Sequence, residues 1–220
     1  MELSLAQFLT LSKEDSVQII DTRISSEFLG GFVPNSIHVE LDEIKTLNAL
    51  KIMEQDCPII LVCSNGTEEL AIKKFELLGY TQVKGFLKGG FTTWVEADQK
   101  IDLIIEVEVD ELAMDIPFDE YLMILDIRTE DVYDKAHIKD SINLPLIEFS
   151  DPGSMSELDE HFNIYIIDDL GKQLLLSASV LKKQGIHNIR IVQDGWDAVE
   201  FLKNKFNIVS SPKKPTITEN

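Results

Sequence analysis

The chain of 220 residues repeats itself. Asp21-Thr22-Arg23 is matched by Asp126-Ile127-Arg128, Ser36-Ile37 by Ser141-Ile142, Gly66 by Gly171 and Gly90 by Gly195, each pair 105 residues apart. Gly79 and Gly185 fall one residue out of step. One offset shared by so many landmarks marks a tandem duplication, and the length accommodates two ordinary domains. The joint lies between Gln99 and Glu106. The expected units are therefore 1–99 and 106–209, followed by a flexible tail at 210–220.

Each half carries the same order of elements. An apolar run ends in Asp-x-Arg: Val17-Gln18-Ile19-Ile20-Asp21, then Leu122-Met123-Ile124-Leu125-Asp126. A short helix and a small strand near Ile37 or Ile142 follow. A second apolar run comes next, Ile59 to Val62 or Ile164 to Ile167. A helix over about 68–78 or 173–183 stops at Gly79 or Gly185, as helix C-termini commonly do. A last strand, Val83 to Phe86 or Ile189 to Val192, leads through a glycine turn into a closing helix. Apolar runs alternating with helical periods predict βαβ units: an α/β chain of two domains, each a mainly parallel sheet flanked by helices on both faces. Trp94 and Trp196 are expected in the cores.

Charge excludes some functions. Twenty basic residues against 39 acidic ones leave −19, which repels nucleic acid and anionic membrane surfaces alike. No apolar run approaches 18 residues, so no transmembrane span is expected. The start, Met1-Glu2-Leu3-Ser4, has no basic leader. Cys57 and Cys63 stand six residues apart on one strand. That is roughly 20 Å when extended, too far for a disulfide between them. A cytoplasmic protein is expected. Four scattered histidines (His38, His137, His161, His187) show no metal spacing, and neither metal nor cofactor is expected.

The chemistry points to Cys63. It ends the apolar run Ile59-Ile60-Leu61-Val62, precedes the loop Ser64-Asn65-Gly66-Thr67-Glu68-Glu69, and faces the start of a helix. In a parallel sheet, reactive groups collect at the carboxyl ends of strands. A Gly-bearing loop can aim successive N–H groups inward, and a helix N-terminus adds its positive end. Both stabilise a thiolate, the reactive form of cysteine. In the second half, Asp168 takes the place of Cys63.

With these residues assembled, each half resembles a rhodanese domain. The resemblance rests on Asp-x-Arg, on the segment Gly31-Phe32-Val33-Pro34-Asn35-Ser36-Ile37, on the Cys63 loop, and on Leu87-Lys88-Gly89-Gly90-Phe91-Thr92-Thr93-Trp94. In the second half it rests on Ala136 to Pro145. The pair is also similar to the tandem rhodanese domains that follow a metallo-β-lactamase domain in some persulfide dioxygenases. The resemblance implies sulfur transfer: Cys63 takes a sulfane sulfur from a persulfide or thiosulfate donor, becomes a persulfide, and passes the sulfur to a thiol acceptor. Departures from the family pattern qualify this. Glu68 stands where an Arg often holds the anionic donor, and Ser64 replaces an Arg after the cysteine. Thiosulfate turnover is therefore expected to be weak, and a neutral, cationic or protein-borne persulfide fits better, unless Arg128 or Arg190 reaches over from the other half. Glu69 replaces the Arg that a phosphatase of this fold requires. Asp168 cannot carry a persulfide, so the second half is expected to be silent. Asp21 and Arg23 are either substrate contacts or, the favoured reading, a strand-end brace. The alternative to a sulfurtransferase is a degenerate tandem acting as a protein-binding or regulatory module.

Overall fold

The structure, a computed structural model, describes residues 1–151 and 153–211, with the backbone alone at Ser156 and Glu157. The expected tail lies outside the described residues from 212 onward.

The first half contains β1 (Glu2–Leu3), α1 (Leu5–Leu11), β2 (Gln18–Asp21), α2 (Ser25–Leu29), β3 (Ser36–His38), α3 (Lys45–Ala49), β4 (Ile59–Val62), α4 (Glu68–Leu77), β5 (Val83–Leu87) and α5 (Gly90–Glu96). The second contains β6 (Ile105–Val107), α6 (Val109–Asp115), β7 (Leu122–Asp126), α7 (Glu130–Tyr133), β8 (His137–Ile138), β9 (Ile142–Asn143), β10 (Asn163–Ile167), α8 (Leu174–Lys183), β11 (Ile189–Val192), α9 (Gly195–Phe201) and β12 (Ile208–Val209). The sheets run β1-β5-β4-β2-β3 and β6-β11-β10-β7-β9, so the duplication in sequence is a duplication in topology. Every pairing within the two sheets is parallel. The α/β class and the parallel sheets follow the sequence reading. Three features escape it: the short edge strands β1 and β6, and the antiparallel pair β8–β12, which the first half matches with a single antiparallel bridge between Phe32 and Asp102.

Strand alternation sorts the core. On β4, Ile60 and Val62 face α1 and α5 with Phe8, Leu87 and Trp94. Ile59 and Leu61 face the opposite way, into a cluster that also holds Phe28, Phe32, Phe75 and Tyr80. That second cluster runs without a break into the other half, through Leu125, Ile164, Ile166 and the leucines of α8.

The junction is made by α8. Its run Leu174-Leu175-Leu176-Ser177-Ala178-Ser179-Val180-Leu181 is apolar or small on every side, which suits a helix buried all round. The helix lies across β3, the edge strand of the first sheet. Ser179 Oγ accepts the His38 N–H at 2.9 Å, so a helix of the second half covers an open edge of the first. Buried Lys182 reaches Asp102 at 2.8 Å, and Lys183 donates to Gln18. The counterpart α4 buries only Ala71 and Phe75 and leaves Leu77 86% exposed.

Candidate active site

Cys63 follows β4 directly, at the carboxyl end of a strand flanked by β5 and β2. Gly66, at φ +84°, lets the loop turn into α4 without a Cβ clash. The glycine turn before α5 closes over the site: a Cβ on Gly90 would stand 2.9 Å from the Cys63 carbonyl oxygen. Of the predicted loop, Ser64 to Thr67 connect β4 to α4, whereas Glu68 and Glu69 form the first turn of α4.

The thiol is not in the expected state. Cys63 continues the alternation of Ile59 and Leu61, so its side chain enters the large apolar cluster and the residue is only 3% exposed. Burial pushes the thiol up to about 12; the Thr22 hydroxyl opposes this, and the carboxylates of Asp21 and Glu68 add to it. Among the described residues no loop amide donates to Sγ. The Thr67 N–H turns back to the Ser64 carbonyl at 3.1 Å, and the Thr67 hydroxyl donates to the same oxygen at 2.7 Å. The accessible thiolate in a ring of amides, expected from the loop pattern, is corrected to a buried, protonated thiol. Desolvation outweighs the helix end and the one hydroxyl that favour charge.

The amide nest exists in the other half. Asp168 Oδ1 accepts the Gly171 N–H at 2.5 Å and Oδ2 accepts the Gln173 N–H at 2.7 Å. Gly171, at φ +75°, makes the curl possible. A carboxylate therefore fills the concavity that would serve an anion. Burial nevertheless raises its pKa, against the two amide bonds.

Asp21 and Arg23 form a buried bidentate pair, with Nη2 2.6 Å from Oδ2 and Nε 2.9 Å from Oδ1. Arg23 Nη2 also donates to the Gly31 carbonyl at 2.9 Å, and its guanidinium lies 4.2 Å from the centre of the Phe91 ring. Asp126 and Arg128 repeat this, with Trp196 in place of Phe91. In both arginines Nε and Nη2 are taken by the neighbouring aspartate and a backbone carbonyl, which is the geometry of a brace. Neither arginine of the second half can serve Cys63: Arg128 is locked to Asp126, and Arg190 lies along Tyr165 and Asn163. The rim of the Cys63 loop is acidic. Ser64 Oγ donates to Glu27 at 2.7 Å, and Glu68 and Glu69 open α4. Among the described residues no cluster of three His, Cys, Asp or Glu side chains could hold a metal ion, and no helix is long and apolar enough to cross a membrane.

The fold and these paired strand-end sites define a tandem of one domain type, and the chain belongs to the rhodanese-like domain family: the family model matches residues 4–97 and again 108–201. Its particular likeness is to the putative sulfur carrier protein YrkF of Bacillus subtilis (strain 168), 35% identical over 92 residues, which make up 42% of this chain and 49% of that protein. The chain thus spans about half the length of that relative. Overlapping solved structures include thiosulfate sulfurtransferase from Pseudomonas aeruginosa (16% identity, 97% of this chain and 44% of that one, TM-score 0.43). Another is SseA of Escherichia coli, a 3-mercaptopyruvate sulfotransferase (15%, 89% and 98%, TM-score 0.38).

Proposed function

We propose that this protein is a sulfurtransferase or sulfur carrier that holds sulfane sulfur on Cys63. The observation that carries the reading is the position of Cys63, at the mouth of the first half's central sheet and at the head of its glycine loop. The naming of YrkF as a putative sulfur carrier supports it. The Cys63 thiolate attacks the outer sulfur of a donor RS–SH. The donor S–S bond breaks, RS⁻ leaves with the electron pair and takes up the proton that Cys63 released. The products are Cys63–S–SH and RSH, with no net oxidation. Attack by an acceptor thiol on the outer sulfur returns Cys63 to its thiol. Two features shape the activity. A thiol near 12 is almost wholly protonated at neutral pH, so loading is slow unless a partner opens the site. The carboxylates of Glu27, Glu68 and Glu69 repel thiosulfate, so the donor is a neutral, cationic or protein-borne persulfide. The second half, with Asp168, carries no sulfur. Two free thiols suit a reducing compartment such as the cytoplasm.

The burial of Cys63 favours a second reading, a degenerate tandem that binds a partner and does no chemistry. Intact-mass measurement after incubation with a low-molecular-weight persulfide separates the two. The carrier gains about 32 Da, one sulfur, and Cys63→Ser abolishes the gain. A protein that stays unmodified with every donor is the binding module.

A further inference from the structure

The junction between the halves encloses a cleft of about 490 Å³ that the sulfur chemistry does not use. One wall is the segment from His38, the last residue of β3, to Thr46, with Ser25; the other is the Asp168 loop from Leu170 to Gln173 and the first turn of α8. The volume is that of a site for a small organic molecule.

The carboxylates of Glu40 and Glu43 make the first wall mainly an acceptor surface. His38 is 3% exposed. Its Nε2 lies 3.0 Å from the Arg23 carbonyl oxygen, which can only accept, so Nε2 bears the proton. Burial lowers the pKa of the ring, against the pull of that carbonyl and of Asp21 and Glu40. Nδ1 of the neutral ring is then a bare acceptor. It has no partner among the described residues, and His38 lines the cleft. Beside it, Glu40 is fixed by the Ser25 N–H at 2.8 Å and the Ser25 hydroxyl at 2.5 Å, and that hydroxyl leads in keeping the carboxylate charged. Glu43 lines the same wall and forms no ion pair among the described residues.

The second wall brings the opposite charge. Lys172 lines it and has no carboxylate partner among the described residues. The loop amides of Gly171 and Gln173 are taken by Asp168, so an oxyanion finds no seat in the nest, and Lys172 is left as the cation of the cleft. Leu170, Leu175 and Leu176, with Val39 opposite, supply an apolar lining between the charges.

We propose that this cleft binds a small α-amino acid with an apolar side chain, its ammonium on the His38–Glu40–Glu43 wall and its carboxylate on Lys172. Neither charge of such a ligand suffices alone, because the cleft offers one acceptor wall and one cation. The site stands apart from the Cys63 loop and makes the silent half part of a ligand site shared by both halves.

The test is a titration of the isotope-labelled full chain with L-methionine, its decarboxylated amine and its deaminated acid, followed by amide chemical shifts. The inference expects saturable one-to-one binding of methionine, with shifts concentrated at residues 38–46 and 170–176. The amine and the acid bind about tenfold or more weaker, the loss of one charge-assisted contact. Lys172→Gln weakens methionine by about tenfold and leaves the amine unaffected, while Glu43→Gln weakens methionine and leaves the acid unaffected. The inference is overturned by no saturable shift up to about 10 mM methionine. Equal binding of all three compounds, or methionine binding indifferent to both substitutions, overturns it equally. Neither variant touches Cys63, so sulfur loading is scored separately, and either result can fail without the other.

Discussion

At the scale of single residues, the two loops have exchanged what one sulfur site would combine. The thiol sits in the half where, among the described residues, no loop amide donates to it, and two amides converge in the half that holds a carboxylate. Two predictions follow from this exchange. Asp168→Cys places a thiol on the amides of Gly171 and Gln173, so it should be alkylated faster at pH 7 than Cys63 in a Cys57→Ser background; equal or slower alkylation contradicts the nest. For Cys63 itself the sign is set by burial. The unfolded thiol ionises near 9 and the folded one near 12. Below about pH 9 both states are protonated and the group leaves stability independent of pH. Above it the unfolded chain releases the proton first, and stability falls by about 1.4 kcal/mol per pH unit towards the folded value. Denaturant titrations of the wild type and Cys63→Ser should diverge in that window and run parallel below it.

At the scale of elements, α8 and α4 descend from one template and bear opposite loads. Leu181→Ala, in the buried helix, should cost about 2–5 kcal/mol, whereas Leu77→Ala, on the exposed face of α4, should stay within about 0.5 kcal/mol. Ser179→Ala removes the acceptor of the His38 N–H and should cost about 1–2 kcal/mol by the same urea measurement. Much of this was legible beforehand. The shared offset predicts the repeated topology, and the strands around Ile20, Ile60, Leu125 and Ile166 are continuous apolar runs. The small residues Ser177, Ala178 and Ser179 among leucines already mark a helix with no solvent face. The accessible thiolate expected from the loop overlooks that an unbroken run through Val62 buries both faces of the strand and carries the next residue inward. Other features could not be read. Strands β1 and β6, of two and three residues, carry too little pattern to register. The cleft joins His38 to Lys172, and nothing local in sequence encodes a contact across that distance.

At the scale of the whole molecule, the two repeats behave as one body. The cluster that contains Cys63 continues into the second half, and α8 closes the edge of the first sheet. Calorimetry should show a single transition with equal calorimetric and van't Hoff enthalpies; two resolved transitions would mean that the junction is weaker than its packing implies. The division of labour is equally global. One half presents the thiol, while the other supplies the covering helix and half of the cleft, all within a chain of net charge −19 that discourages anionic donors. The proposed carrier holds its sulfur on Cys63. Peptide mapping by mass spectrometry after exposure to a persulfide donor tests it most directly. One added sulfur is expected on the peptide bearing Cys63 and none on the peptide bearing Cys57 once the two are cleaved apart. Sulfur found only on Cys57, or on neither, contradicts it.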